Sequence, residues 1–171
     1  MTDLSEYEKM LASELYLGAH PQLIQKREAA RLACARYQSH PSKGNLKHIT
    51  RLFHSFEGGH IEPGFQCDYG LHIRTGKQFF ANFNCILLDS AEIFIGDHVM
   101  FGPDVHVYTV DHPRDPVERA KGLCMARPVK IGSNVWVGGG CRILPGVEIG
   151  DGVIVPANTV VKESLPEGFR F

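Results

Sequence analysis

The sequence lacks the features that mark several large classes of protein. No apolar run approaches the ~18 residues that a membrane-spanning helix needs, and the acidic N-terminus has no hydrophobic signal core. Lysine and arginine together number 18 and acidic residues number 19, so the formal net charge of −1 excludes a generally basic nucleic-acid surface. We therefore expect a globular protein of the cytoplasm, with neither nucleic acid nor membrane as a partner.

Cysteine is too scarce and too irregularly spaced for a disulfide framework or a zinc ribbon. The count is odd, at five, and no CxxC motif occurs. We expect reduced thiols that pack as small hydrophobic side chains, and no metal ion. The cysteines are Cys34, Cys67, Cys85, Cys124 and Cys141.

Residues 1–57 show the pattern of a small N-terminal α-helical segment. A capping box at Ser5–Glu8 begins the first helix, Pro21 suits the first turn of a second, and a third precedes the glycines that close the segment. Apolar residues recur every four positions on the first helix, which predicts one buried stripe. They are Tyr7, Leu11 and Leu15.

Residues 58–171 follow a period of six. Three-residue strands alternate apolar and outward-facing residues, and glycine, proline or asparagine occupy three-residue turns. The position that closes the later strands is taken by Ile131, Val137, Ile143, Ile149, Val155 and Val161. A sandwich of short strands would space its turns by roughly 8–12 residues, whereas stacked coils suit a period of six. The pattern predicts a mainly β fold, a parallel β-helix of hexapeptide repeats.

One long excursion, residues 106–128, interrupts the repeat. Long departures from a solenoid are usually functional or disordered, and this one has few flexible residues, so we expect it to be ordered. His112 precedes Pro113, which favours an extended backbone. Taken alone, a histidine in such a loop is more often structural than catalytic.

The repeat and four motifs together resemble the galactoside, maltose and nodulation-type sugar O-acetyltransferases. The motifs are Asp-His-Pro at 111–113, Asn-Val-Trp-Val-Gly at 134–138, Cys-Asp-Tyr-Gly at 67–70 and Phe-Phe-Ala-Asn-Phe-Asn at 79–84. The resemblance covers nearly the whole chain. It implies a left-handed parallel β-helix with three hexapeptides per coil, and a homotrimer that holds acetyl-CoA in the cleft between neighbours.

The reaction implied by the resemblance is acetyl transfer from a CoA thioester to a hydroxyl of a sugar or glycoside. An alcohol is a poor nucleophile until its proton is removed, and histidine is suited to this role near neutral pH. The resemblance makes His112 the general base, with direct attack in a ternary complex. Asn82 is similar to the family asparagine that contacts the acceptor and the reacting centre, and a simple turn residue is the alternative.

The resemblance also implies binding residues. The acceptor contacts, which would bind sugar hydroxyls through charge-assisted hydrogen bonds, are Asp68, Asp89 and Arg27. A solvated surface charge is the alternative for each. The contacts to acetyl-CoA are Trp136, Gly139, Ala157 and Lys162. Among these the Gly139 N–H would face the thioester carbonyl, and packing at a subunit contact is the alternative for the tryptophan.

Other functions stay open from the sequence alone. One is acetylation of serine, an amino sugar or an antibiotic, because segments 17–20 and 123–125 depart from the family near the acceptor. A second is a non-catalytic β-helix scaffold, which the end of the chain at Phe171, without the family's basic arm toward CoA, would suit. A third is a γ-class carbonic anhydrase, which needs three histidine ligands. The nearest set is His98, His106 and His112.

Overall fold

The computed structural model describes residues 4–171, so the first three residues of the expected helical segment lie outside the described part. Within that part, helices flank a β structure. They are α1 (Glu6–Leu11), α2 (Pro21–Ser39), α3 (Lys43–Thr50) and α4 (Pro116–Ala120), and strand β1 (Tyr16–Leu17) lies between the first two. None of these helices is long and apolar enough to cross a membrane.

Coils of three short strands form a solenoid. The first three coils contain β2 (Ser55–Phe56), β3 (Gly59–Ile61) and β4 (Gln66–Cys67), then β5 (Ile73–Thr75), β6 (Phe79–Ala81) and β7 (Ile86–Leu88), then β8 (Ile93–Ile95), β9 (Met100–Phe101) and β10 (His106–Tyr108). The excursion contains β11 (Val110–Asp111), α4 and β12 (Leu123–Ala126). The last two coils contain β13 (Val129–Ile131), β14 (Trp136–Val137) and β15 (Arg142–Ile143), then β16 (Glu148–Ile149), β17 (Ile154–Val155) and β18 (Val160–Val161).

Strands at the same place in successive coils pair in parallel, so three five-stranded sheets form the sides of the solenoid. Sheet 1 contains β2, β5, β8, β13 and β16; sheet 2 contains β3, β6, β9, β14 and β17; sheet 3 contains β4, β7, β10, β15 and β18. We call the turn from sheet 2 to sheet 3 the second corner, and the turn from sheet 3 to the next sheet 1 the third corner. This topology confirms the prediction of a mainly β, parallel β-helix with a small helical segment.

Side chains alternate between the core and the surface as the period of six predicts. Val129 and Ile131 of β13 are buried, whereas Lys130 between them is exposed. Phe79 and Phe101 meet edge to face inside the solenoid, with ring centroids 5.2 Å apart. The inner side chains of one coil pack on those of the next and form one continuous hydrophobic core.

The turns at the second corner use left-handed backbone. Asn84, Asp104 and Asn158 take the same turn position in three coils, with φ angles of 60°, 57° and 60°. Asparagine and aspartate tolerate this region better than other residues that carry a Cβ. This requirement accounts for Asn84 and does not apply to Asn82, two residues earlier.

The helical segment shares the core of the solenoid. Ala30, Ala33 and Cys34 of α2 are buried against it, and the hydroxyl of Tyr37 donates a hydrogen bond to the Ile61 carbonyl at 2.7 Å. Strand β2 already pairs with β5 in sheet 1, so the solenoid begins before the boundary expected from the sequence. The helices and the coils are therefore packed as one body.

The prediction for the first helix is correct at its start and wrong along its length. The capping box at Ser5 is present. Helix α1 ends at Leu11, however, and Leu11 and Leu15 are 47% and 46% exposed. Ser13 adopts a left-handed φ of 59° and turns the chain toward β1. Burial falls instead on Met10, so the expected stripe does not form.

The excursion begins after Tyr108, later than the expected start at residue 106. The buried Val107 continues the apolar pattern of the coil, and β10 therefore stays in sheet 3. Strand β12 pairs antiparallel with both β11 and β1, which gives a three-stranded sheet beside the solenoid. The excursion and the N-terminal segment are thus joined directly.

Replacement of the buried Phe101 tests the stacked core. Phe101→Ala removes a ring that is 1% exposed and packs on Phe79, so we expect the free energy of unfolding in urea to fall by about 3–5 kcal/mol. Phe171→Ala is the matched control, since that ring is 59% exposed, and its effect should stay within about 0.5 kcal/mol. Equal effects of the two substitutions would contradict the description of the core.

Candidate functional site

A cavity of about 450 Å³ opens at the third corner, between the excursion, β1 and α2. We call it the His112 pocket. It brings together three residues singled out from the sequence, namely His112, Asp68 and Arg27. Two residues that the sequence analysis had not assigned to a site, Arg31 and Cys124, also line it.

His112 lines the pocket, and its Nδ1 is turned toward the excursion. Its backbone N–H donates to Asp111 Oδ1 at 2.8 Å, which fixes the turn after β11. Its Nδ1 lies 3.4 Å from the Leu123 carbonyl oxygen and 3.6 Å from Cys124 Sγ. Within residues 4–171, Nε2 has no hydrogen-bond partner. A neutral imidazole with its proton on Nδ1 can therefore accept a proton at Nε2.

Asp68 and Arg27 form the charged wall of the pocket. Asp68 follows β4 and is half-buried, and burial raises the pKa of its carboxyl while Arg27 and Arg31 oppose that shift. Arg27 donates from Nη1 to the Tyr69 hydroxyl and from Nη2 to the Gly18 carbonyl, each at 2.9 Å. These bonds leave the guanidinium fixed at the cavity surface, where it can bind an oxygen acceptor of a ligand.

Arg31 is one of the two charged or thiol-bearing pocket residues that sequence reasoning missed. It lies four residues after Arg27 on α2, and side chains at this spacing share one face of a helix. Its side chain is exposed at the pocket and its charge acts on Asp68. The four-residue spacing is the signal that would have placed it beside Arg27.

Asp89 does not reach the pocket, so the expectation that it contacts the acceptor is wrong. Its side chain is fully buried, and its carboxylate accepts hydrogen bonds from the backbone N–H groups of Tyr69 at 2.8 Å and His72 at 3.2 Å. Burial raises the pKa of this carboxyl to about 7, and the backbone hydrogen bonds oppose that shift. Asp89 instead anchors the turn that carries Asp68.

A second group of predicted residues lies at the second corner. Asn82, Gly139 and Ala157 occupy the turns between sheets 2 and 3 in the second, fourth and fifth coils. The coils approach closely here, because a Cβ on Gly138 would lie 2.5 Å from the backbone nitrogen of Ala157. The side chain of Asn82 accepts a hydrogen bond from the N–H of Phe83 at 2.8 Å.

Two backbone donors at the second corner are unused. Neither the N–H of Gly139 nor that of Ala157 makes a hydrogen bond within the part of the chain that the structure describes. Trp136, two residues before the three consecutive glycines at 138–140, is 53% exposed on the outer side of sheet 2. These groups form an open backbone surface that can bind an extended polar ligand.

Sheet 3 separates the two groups of residues within one chain. Asn82 and Gly139 lie at the second corner, where the chain enters sheet 3. His112 lies in the excursion, which leaves sheet 3 at the third corner. Lys162 follows β18 and is exposed at the third corner of the last coil, away from the Gly139 turn. One chain therefore does not assemble every predicted site residue in one cavity.

The three histidines of the carbonic anhydrase alternative do not converge. His98 lies in a turn between sheets 1 and 2, and His106 lies in sheet 3 with its Nδ1 2.7 Å from the Tyr108 hydroxyl. Among residues 4–171, no group of three histidine, cysteine or acidic side chains is placed to hold a metal ion. This geometry does not suit a zinc site with three histidine ligands.

Comparison with known proteins places this fold and site in a family. Residues 128–163 match the family described as bacterial transferase hexapeptide (six repeats), and residues 9–57 match the maltose acetyltransferase hexapeptide capping motif. The chain is 44% identical to nodulation protein L of Rhizobium meliloti (strain 1021), over 97% of this chain and 93% of that protein.

Solved structures agree with the sequence comparison. A maltose O-acetyltransferase from Clostridium difficile 630 superposes with a TM-score of 0.91 at 38% identity, covering 95% of this chain and 89% of that one. A galactoside acetyltransferase in complex with coenzyme A gives a TM-score of 0.89 at 31% identity, covering 96% and 84%. The hexapeptide coils and the capping helices thus define an acyl-transferring enzyme. The chain belongs to the hexapeptide-repeat family of galactoside, maltose and nodulation-type O-acetyltransferases, and it is an acetyltransferase.

The raised pKa of Asp89 predicts how its contribution to stability depends on pH. The folded-state pKa of about 7 lies above the usual 3.8, so the folded protein binds this proton more tightly, and stability is lost as pH rises through that window. Asp89→Asn does not titrate. We expect the stability advantage of the wild type over Asp89→Asn, measured by urea unfolding, to be larger at pH 5 than at pH 8. An advantage that is constant or grows with pH would refute the assignment.

Proposed function

We propose that this acetyltransferase moves the acetyl group of acetyl-CoA to a hydroxyl of a sugar or glycoside, with His112 as the general base. The observation that carries the proposal is the His112 pocket, where an imidazole with an unused Nε2 shares a cavity with Asp68 and Arg27. The names of the related maltose O-acetyltransferase and galactoside acetyltransferase support the same class of reaction.

The geometry of His112 supports its role as the general base. Nε2 accepts the proton of the acceptor hydroxyl while the hydroxyl oxygen attacks the thioester carbonyl carbon. The imidazolium formed in this step then returns the proton to the departing CoA sulfur. General-base catalysis of this kind contributes ~10²–10⁴-fold in rate. Attack is direct, in a ternary complex, so no acyl-enzyme intermediate and no metal ion is needed.

Asp68 and Arg27 bind the acceptor in this proposal. A carboxylate accepts hydrogen bonds from sugar hydroxyls, and a guanidinium donates to sugar oxygens. Arg27 is already held by Tyr69 and Gly18, so little of its mobility is lost on binding. Arg31 adds a second positive charge at the rim of the same cavity.

The second corner binds acetyl-CoA in this proposal. The unused N–H of Gly139 donates to the thioester oxygen as negative charge develops on it, and the N–H of Ala157 binds the pantetheine chain. Trp136 packs beside the groove. Lys162 lies at the third corner of its own chain, so we assign it to the CoA phosphates of the cleft that this corner shares with a neighbouring chain. Asn82 lies in the same line of turns and orients the reacting groups. The coenzyme A complex of the related galactoside acetyltransferase supports acetyl-CoA as the acyl donor.

A homotrimer completes the site in this proposal. The His112 pocket of one chain faces the second corner of a neighbour, so that acceptor and donor meet in the cleft between two chains. Sheet 2 carries an exposed apolar row that needs cover, in which Met100, Trp136 and Ile154 pair side by side and are 52%, 53% and 49% exposed. Cyclic assembly of three copies would give three equivalent clefts.

Loss of His112 tests the proposed base. We expect His112→Ala to lower kcat by at least about 100-fold. Binding of acetyl-CoA should be retained, because His112 is not part of the second corner that we propose binds it. Acetyl-CoA consumption should be measured with galactosides, glucosides, maltose, amino sugars and serine as acceptors. His48→Ala removes an exposed histidine outside the pocket and should leave kcat unchanged. Near-normal turnover by His112→Ala on the best acceptor would show that another residue is the base.

Mixing two inactive variants tests whether each site spans two chains. His112→Ala and Asn82→Ala alter residues that lie at the third and the second corner of one chain, with sheet 3 between them. If each site takes one of these residues from each neighbour, random mixed trimers should recover about a quarter of the wild-type activity, because about one cleft in four keeps both residues. Dissociation and reassociation of separately purified variants, with sedimentation to verify trimers, provides the measurement. No recovery in verified mixed trimers would place both residues in the site of a single chain.

A further inference from the structure

The thiol of Cys124 lies against the ring nitrogen of His112 that faces away from the acceptor. Its Sγ is 3.6 Å from His112 Nδ1 and 3.8 Å from the Gly122 carbonyl oxygen. The Leu123 carbonyl oxygen is 3.4 Å from the same Nδ1. One arrangement of protons satisfies all three contacts: the thiol donates to Gly122, and Nδ1–H donates to Leu123 and to the sulfur.

The three-stranded sheet holds His112 and Cys124 together. Cys124 lies opposite Tyr16 of β1, and on the other side of β12 its neighbour Met125 lies opposite Asp111 of β11. Asp111 is the residue immediately before His112, and its carboxylate also accepts the N–H of His112. The spacing between the imidazole and the thiol is therefore fixed by backbone pairing on both sides of β12.

Gly18 leaves the space that the thiol occupies. A Cβ on this residue would lie 2.6 Å from Cys124 Sγ, which is closer than real Cβ contacts allow. The carbonyl of Gly18 also accepts a hydrogen bond from Arg27, so the segment is held in place. A side chain at position 18 would therefore have to displace the sulfur rather than move away from it.

The thiol is neutral in this environment. Cys124 is 7% exposed, and burial raises the pKa of its thiol. A neutral thiol is a weak nucleophile, so Cys124 is not suited to carry an acyl group. It remains a weak hydrogen-bond donor and acceptor, which is the capacity that its contacts to His112 and Gly122 use.

We propose that Cys124 is a positioning residue that holds His112 in the Nδ1–H tautomer and so keeps Nε2 available as the base. The hydrogen bond made by one imidazole nitrogen decides which nitrogen carries the proton. The inference rests on the proposed function, because it assigns a partner to the proposed base. It concerns the excursion segment 123–125, where this chain departs from the resemblance drawn from its sequence.

Two substitutions at Cys124 separate orientation of the imidazole from packing. Cys124→Ala removes the sulfur, and we expect kcat to fall about threefold to tenfold, the range of one modest hydrogen bond, with the KM for acetyl-CoA unchanged. Cys124→Ser keeps a donor and acceptor and should restore most of kcat. Long-range ¹H–¹⁵N NMR of His112 should show the Nδ1–H tautomer in the wild type and a larger Nε2–H fraction in Cys124→Ala. Cys34→Ala is the control, because it removes a buried thiol that packs in the core of the solenoid and not in the cluster that contains Cys124.

Gly18→Ala tests the same contact from the other side. The added methyl group should displace the sulfur and lower kcat, and the double variant Gly18→Ala/Cys124→Ala should lose little more than Gly18→Ala alone. Losses that simply multiply would show that Gly18 acts independently of the thiol, which contradicts the inference.

The outcomes divide clearly. The inference is overturned if His112 of the wild type is in the Nε2–H form, if Cys124→Ala keeps both kcat and the tautomer, or if alanine and serine reduce kcat equally without a change of tautomer. The wild-type spectrum can overturn the inference even if a variant fails to fold. Normal turnover by His112→Ala would instead remove the proposed function, so the two failures are distinguishable.

Discussion

Contact between the inner side chains of successive coils is the interaction on which this molecule depends. Strands of two or three residues have no stability of their own, and each is held only because the next coil covers its apolar face. Ile93 and Ile95 of β8 lie directly against Val129 and Ile131 of β13, for example, although more than thirty residues separate them in the chain. The register of this stacking requires that every coil return to the same height, so extra residues must leave the solenoid at a corner.

The functional site follows from that constraint. The repeat gains two residues between the buried Leu87 and Ile95, which lie eight positions apart and not six. The buried Asp89 and Ser90 lie in this longer third corner. The whole excursion leaves the solenoid at the third corner of the next coil. The buried Asp89 then binds the backbone of the turn that carries Asp68, and the excursion brings His112 over the same corner. The catalytic candidates thus lie where the repeat is interrupted. The regular turns at the second corner, on the other side of sheet 3, present backbone N–H groups.

Much of the fold could be predicted because the six-residue period of the solenoid has a physical cause that recurs in every coil. Alternation within each strand and left-handed turn residues such as Asn158 repeat often enough to be recognised in one sequence. Asp89 was misassigned because a buried carboxylate that binds backbone N–H groups looks in sequence like any surface acid. Leu15 was misassigned because the left-handed turn at Ser13 overrides the helical period. Arg31 was missed although its four-residue spacing from Arg27 on α2 is visible in the sequence. The contact of Cys124 with His112 depends on the pairing of β12 with β11 and β1, which no local pattern encodes.

The antiparallel pairing of β12 with β1 has a consequence for how such enzymes diversify. The walls of the His112 pocket come largely from the N-terminal segment and the excursion, and these are joined by this pairing. The Gly139 and Ala157 turns belong to coils that neither segment forms. If the pocket binds the acceptor and the second corner binds acetyl-CoA, as proposed, evolution can exchange the two segments as a matched set and alter which molecule is modified, while the groove for the acyl donor is inherited unchanged.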